Sequence, residues 1–85
     1  MAKVEIYTTA LCPFCYRAKK LLDKKGVQYI EFDVSTDPEG RAKMRERSGG
    51  RHTVPQIFID GQHVGGCDEL YALEQRGALD AMLAA

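Results

Sequence analysis

The sequence predicts an α/β layered domain: a four-stranded mixed sheet with helices on both faces, in the order βαβ, α, ββ, α. Three observations carry this. A period-two apolar stretch, a helical stripe and a second period-two stretch follow one another within about thirty residues, the pattern of a βαβ unit with parallel strands. An Asp60-Gly61 pair sits between two short β-rich runs and marks a two-residue hairpin. Proline or glycine separates these units from the remaining helical stretches.

The elements follow in order. Val4-Glu5-Ile6-Tyr7-Thr8 alternates apolar and polar and is rich in strand formers. From Cys12 onward, Cys15, Ala18 and Leu22 fall at i, i+3 and i+7 with Leu21 beside them, which makes one helical stripe. Pro13 suits the first helical position, where no N–H is needed. Gly26 ends this helix, and Lys24 and Lys25 sit in its last turn, where the dipole favours cations.

Residues 28–34 read as the second strand, with Ile30, Phe32 and Val34 on one face. Asp37-Pro38-Glu39 supplies a cap, a first-position proline and an acid in the first turn of the second helix. Only Ala42 and Met44 give that helix apolar bulk, so it is expected to lie polar on the surface, stopped by Gly49 and Gly50. Gln56-Ile57-Phe58-Ile59 is the third strand and Gln62-His63-Val64 the fourth. Asp68-Glu69 opens a third helix with Leu70 and Leu73 inward, Gly77 breaks it, and 78–83 adds a final helical segment.

Eighty-five residues bound the chain to one domain, 1–85, with little core to spare for elaborate machinery. Composition is ordinary for a globular protein, 45% hydrophobic and 28% charged. Twelve Lys and Arg balance twelve Asp and Glu, which argues against nucleic acid as the main partner. No apolar run approaches membrane-spanning length, and Met1-Ala2-Lys3-Val4-Glu5 lacks the apolar region of a signal peptide. The expectation is therefore a cytoplasmic protein with no membrane partner. Three cysteines in such a chain point to reactive or metal-binding thiols rather than a disulfide-stapled fold.

Cys12-x-x-Cys15 at a strand-to-helix junction is the strongest chemical signal. Two residues between thiols at a helix start bring the sulfurs within bridging reach without dismantling the helix. Cys12 sits at the helix mouth, where unpaired N–H groups and the positive dipole end favour a thiolate, the nucleophilic form. Arg17 and Lys20 add positive charge nearby. Cys15, on the apolar stripe, is expected to be more buried. Cys12 then attacks a disulfide and Cys15 resolves the mixed disulfide. The competing explanation is half of a zinc site, which needs a second ligand pair. Cys67, His52 and His63 are singletons, and proline within the pair suits a helix opening, so the redox reading is favoured and no metal is expected.

Two further segments have readings of their own. Pro55, directly before a strand, is either a trans strand starter or a cis proline that leaves the Val54 backbone free to pair with an extended peptide. Gly65-Gly66 permits close backbone approach ahead of a helix start at Cys67-Asp68-Glu69, whose N–H groups suit a carboxylate. The plainer account makes Asp68 an N-cap and Cys67 a small buried hydrophobe. His52 reads as lining a loop and His63 as exposed on a hairpin strand. Tyr7, Tyr29, Phe32 and Phe58 read as core or sheet surface.

Cys12-Pro13-Phe14-Cys15, Thr53-Val54-Pro55 and Gly65-Gly66-Cys67-Asp68-Glu69 together resemble the motifs of the glutaredoxin family, in the family's order and over essentially the whole chain. The resemblance implies a thioredoxin-like fold, β-α-β-α-β-β-α, and glutathione-dependent reduction of protein disulfides and protein–glutathione mixed disulfides. It implies catalysis by Cys12 and Cys15. It implies glutathione contacts from Phe14, Thr53, Val54, Pro55, Gly66, Cys67 and Asp68, with glutathione as co-substrate and no permanently bound cofactor. The implied partners are disulfide-containing proteins and, indirectly, a glutathione reductase, with the protein a monomer. Thr9 departs from the pattern, since family members often carry lysine there near glutathione's glycine carboxylate. Arg51 or Arg47 is the expected substitute. Phe14 stands where many members have tyrosine. Two alternatives share the fold: an electron donor reduced by thioredoxin reductase, and an iron–sulfur cluster carrier that uses Cys12 plus glutathione.

Overall fold

The computed structural model describes residues 2–85; Met1 lies outside them. In chain order the elements are β1 (Val4–Thr8), α1 (Pro13–Lys24), β2 (Tyr29–Asp33), α2 (Pro38–Arg47), β3 (Gln56–Ile59), β4 (Gln62–Gly65), α3 (Cys67–Gln75) and α4 (Leu79–Ala84). The strands lie side by side as β2-β1-β3-β4. β1 runs parallel to β2, with Val4 opposite Tyr29 and Thr8 opposite Asp33. β3 is antiparallel to β1, and β4 to β3. The mixed sheet expected from the pattern is present.

Alternation along the strands builds two cores. Val4, Ile6, Ile57 and Ile59 face α1, α3 and α4 and pack with Ala18, Leu22, Leu70 and Leu79. Tyr7 and Phe58 face the other way, against Val34 and Met44. β1 is central, so all five of its residues are buried. This includes Glu5, which alternation turns toward α2.

The helix ends follow their sequence signals. Cys12 caps α1 and Pro13 opens it. The Gly26 N–H donates to the Asp23 carbonyl at 2.9 Å to close it. The Lys25 ammonium then ties that end to Glu74 of α3 at 2.6 Å and to Asp80 of α4 at 2.8 Å. Asp37 Oδ1 accepts the Gly40 N–H at 3.0 Å and caps α2. Met44 is α2's one buried residue, and Ala42 is exposed, so α2 is the polar surface helix expected.

Several expectations need adjustment. β4 extends to Gly65, and α3 begins at Cys67 with Gly66, not Asp68, at its cap. Gly66 has no side chain to offer. The capping contact comes from the other side, where Glu69 Oε1 accepts the Gly66 N–H. Gly65 has φ +122, and a Cβ there would lie 2.5 Å from Glu69 Oε1, so this turn admits glycine alone. Ile30 shares a face with Phe32 and Val34 but stands 46% exposed, because β2 is an edge strand and the α2-side core reaches only the other two.

Candidate active site

β1 delivers the chain to the sheet's upper end, and a short turn carries it into α1. Within that turn Leu11 adopts a left-handed backbone conformation, φ +55, and its side chain is fully exposed. Cys12 follows with extended backbone as the N-cap of α1. Its sulfur accepts the Cys15 N–H at 3.1 Å. This is one of the N–H groups that a helix start leaves without an intrahelical partner. Cys12 and Cys15 are joined as a disulfide, with Cα atoms 5.2 Å apart. Cys12 remains partly exposed while Cys15 is 2% exposed, so an incoming group meets Cys12 first. Arg17 and Lys20 lie over the rings of Tyr71 and Tyr16, at 5.4 and 5.5 Å.

Beside the thiol pair opens a cleft of about 130 Å³ lined by Phe14, Arg51, Thr53, Val54, Pro55, Gly66, Cys67, Asp68 and Glu69. Three separate segments meet in it: the α1 start, the loop before β3 and the start of α3. The Val54–Pro55 peptide is cis. A Cβ on Gly66 would stand 3.3 Å from the Pro55 carbonyl and 3.7 Å from Arg51 Nη2, so a larger residue would occupy the cleft itself. Asp68 is exposed in the first turn of α3 and has no ion-pair partner among the described residues.

Of the two cations expected near the site, Arg51 lines the cleft. Its Nη1 donates to Glu69 Oε1 at 3.2 Å, and both side chains are nearly half exposed. Glu69's carboxyl is held below its ordinary range, first by the Gly66 N–H and then, against the effect of burial, by Arg51. Arg47 is elsewhere. Its guanidinium pairs with Glu5 at 2.9 Å, donates to the Tyr7 hydroxyl at 3.0 Å and lies 4.0 Å from the Phe58 ring centroid, all on the α2 face. The buried carboxylate of Glu5 claims Arg47, so of the two expected substitutes Arg51 alone reaches the cleft.

Cys67 is 5% exposed and packs into the main core, and burial pushes its thiol up from the ordinary range. What it presents to the cleft is the backbone at a helix start. His52 is exposed in the loop. His63 is not the exposed strand residue anticipated. It is half buried, stacked on Phe58 with centroids 5.1 Å apart, and its Nε2 meets Gln56 Oε1 at 2.7 Å. Burial, with Arg51 nearby, pushes its pKa down. The sequence reading gave no site role to Leu11, to Gln56, which it placed only on the third strand, or to Glu69, which it placed only at the third helix start. The available signals were the spacing of Glu69, three residues after Gly66, and the place of Gln56 between Pro55 and an apolar run.

No helix among the described residues is long and apolar enough to cross a membrane, and no group of three His, Cys, Asp or Glu stands placed to hold a metal ion. A partly exposed cysteine at a helix cap, joined by a disulfide to a buried one and set beside a cleft rimmed by a cis proline, defines a thiol–disulfide oxidoreductase of the thioredoxin fold.

Residues 4–64 match the sequence model of the glutaredoxin family. The chain is 58% identical over 83 residues to glutaredoxin 3 of Escherichia coli K12, covering 98% of this chain and 99% of that one. It superposes on the solution structure of glutaredoxin from Brucella melitensis with a TM-score of 0.85 at 59% identity, covering 98% of this chain and 89% of that one. A buckwheat glutaredoxin–glutathione complex gives a TM-score of 0.88 at 31% identity, with coverage of 98% and 77%. The chain belongs to the glutaredoxin family and is a disulfide oxidoreductase.

Proposed function

We propose that the chain uses glutathione as reductant and reduces protein–glutathione mixed disulfides through Cys12, and protein disulfides through Cys12 and Cys15 together. The observation that carries this reading is the cleft beside Cys12. It offers an extended peptide the Val54 backbone, offers carboxylates the α3 start and Arg51, and offers an ammonium the free carboxylate of Asp68. Glutathione carries these groups: two carboxylates, one amine and a thiol between them. In this reading Phe14, Thr53, Val54, Pro55, Gly66, the Cys67 backbone and Asp68 contact it, and Arg51 replaces the lysine absent at Thr9.

The Cys12 thiolate attacks the glutathione sulfur of a mixed disulfide, and the target protein's thiolate leaves and takes up a proton. A second glutathione thiolate attacks that same glutathione sulfur, which releases glutathione disulfide and restores the Cys12 thiolate. With a protein disulfide, Cys12 forms the mixed disulfide and Cys15 displaces the protein. Two glutathiones then reduce the resulting Cys12–Cys15 bridge. The protein acts in the cytoplasm as a monomer with no resident metal or cofactor, and glutathione reductase recycles the glutathione disulfide.

The test is a glutathione- and glutathione-reductase-coupled assay on a mixed-disulfide substrate, with wild type, Cys12→Ser and Cys15→Ser, beside the same proteins with thioredoxin reductase. Cys12→Ser is expected to abolish turnover and Cys15→Ser to keep mixed-disulfide reduction. Turnover with thioredoxin reductase but not with glutathione overturns the reading. Visible absorbance in anaerobically prepared protein would replace it with the cluster-carrier alternative.

A further inference from the structure

Behind the cleft lies a polar relay that the thiol chemistry does not use. Gln56, the first residue of β3, is fully buried, 0% exposed. Its Nε2 donates to the Thr53 carbonyl at 2.9 Å and to Thr53 Oγ1 at 3.3 Å. Its Oε1 meets His63 Nε2 at 2.7 Å. His63 is on β4 and is held by its stack on Phe58, the residue opposite it in the β3–β4 register.

The donors and acceptors in this chain can be arranged in one way. The Thr53 carbonyl only accepts, so it must face the amide NH₂ of Gln56. That turns Oε1 to His63, whose Nε2 must then carry the hydrogen. A flipped glutamine amide would set two oxygens against each other at Thr53.

The consequence reaches the cleft through one rigid plane. The Thr53–Val54 peptide is trans, so its C=O and N–H point in opposite directions. With the Thr53 carbonyl drawn inward to Gln56, the Val54 N–H is turned away from the interior, on a residue that lines the cleft. We propose that Gln56 and His63 are positioning residues that hold the Val54 N–H outward as a ready donor for the backbone of an extended peptide-like substrate.

This rests on the glutathione reading above. Neither side chain touches the reacting sulfurs. A donor fixed in advance binds ground state and transition state alike, so its loss raises KM and leaves kcat in place.

The experiment measures KM and kcat for the mixed disulfide of glutathione and 2-mercaptoethanol, with iodoacetamide alkylation of reduced Cys12 as an independent readout. Gln56→Leu removes the donor to Thr53. His63→Phe keeps the stack and removes the donor to Gln56, and His63→Gln restores a donor. Gln56→Leu and His63→Phe are each expected to raise KM about five- to tenfold, the loss of one well-made hydrogen bond, with kcat and alkylation rate unchanged. His63→Gln is expected to stay near wild type.

A role confined to stability would lower Tm and spare KM. KM unchanged in folded Gln56→Leu, or in His63→Phe where the first variant does not fold, overturns the relay alone. A wild type that turns over without glutathione overturns the underlying reading, and the relay with it.

Discussion

At Cys12 three local facts converge on one sulfur: an N-cap backbone, a donor N–H 3.1 Å away, and partial exposure beside a buried partner thiol. The sequence announced the first and third through Cys-x-x-Cys with an inserted proline, because helix-start geometry is local. It could not decide which arginine would reach the cleft, because that depends on which carboxylate claims the other one. Arg47 and Arg51 are four positions apart in sequence, yet Glu5 fixes one on the α2 face and Glu69 holds the other at the cleft. Arg51→Met is expected to raise the glutathione KM several-fold without slowing alkylation of Cys12. Asp68→Ala is expected to raise it about tenfold through loss of a charge-assisted bond. Titration of initial rate against glutathione concentration checks both. An unchanged KM in either variant removes that residue from the binding role.

At the scale of elements, the features legible in advance were those that short-range physics imposes: period-two strands, the helical stripe Cys15-Ala18-Leu22, and the Asp60-Gly61 turn. Less legible were features settled across elements. The α3 cap moved to Gly66 because Glu69 reaches back to its N–H, and His63 turned inward because Phe58 and Gln56 wait opposite it. α2 is the weakly anchored element. Met44, 0% exposed, is its one buried residue, whereas α1 buries Cys15, Ala18, Leu21 and Leu22. Met44→Ala is expected to cost about 3 kcal/mol in denaturant unfolding. Hydrogen exchange is expected to open α2 amides well before those of α1 and β1. Equal protection of α1 and α2 would show that Met44 is not α2's principal anchor.

In the whole molecule the sheet divides labour. The face covered by α1, α3 and α4 supplies both helix starts at the cleft, and the α2 face carries a second, smaller core around Tyr7, Phe58, Val34 and Met44. The Glu5–Arg47 pair belongs to that second core, so its disruption is expected to separate stability from chemistry. Arg47→Met leaves the Glu5 carboxylate largely buried without its cation and is expected to cost about 2 kcal/mol, below the cost at a fully buried pair because both side chains keep some contact with water. For a domain of this size that lowers Tm by about 10 °C, while the coupled rate at 25 °C and neutral pH stays at the wild-type level. The pH dependence follows with a definite sign. The Arg47 hydrogen bond, against the opposing effect of burial, holds Glu5 below its ordinary range. The folded chain therefore keeps Glu5 ionised at pH values where the unfolded chain, at about 4.3, takes up a proton. This stabilisation is fully present above that value and is lost as pH falls through the lower folded value. Glu5→Gln is expected to flatten the fall of Tm with pH in that acid window and to leave its shape above pH ~5 unchanged. Tm measured across the window in wild type and variant decides the matter, because an equally steep acid limb in both would assign that limb to other carboxylates.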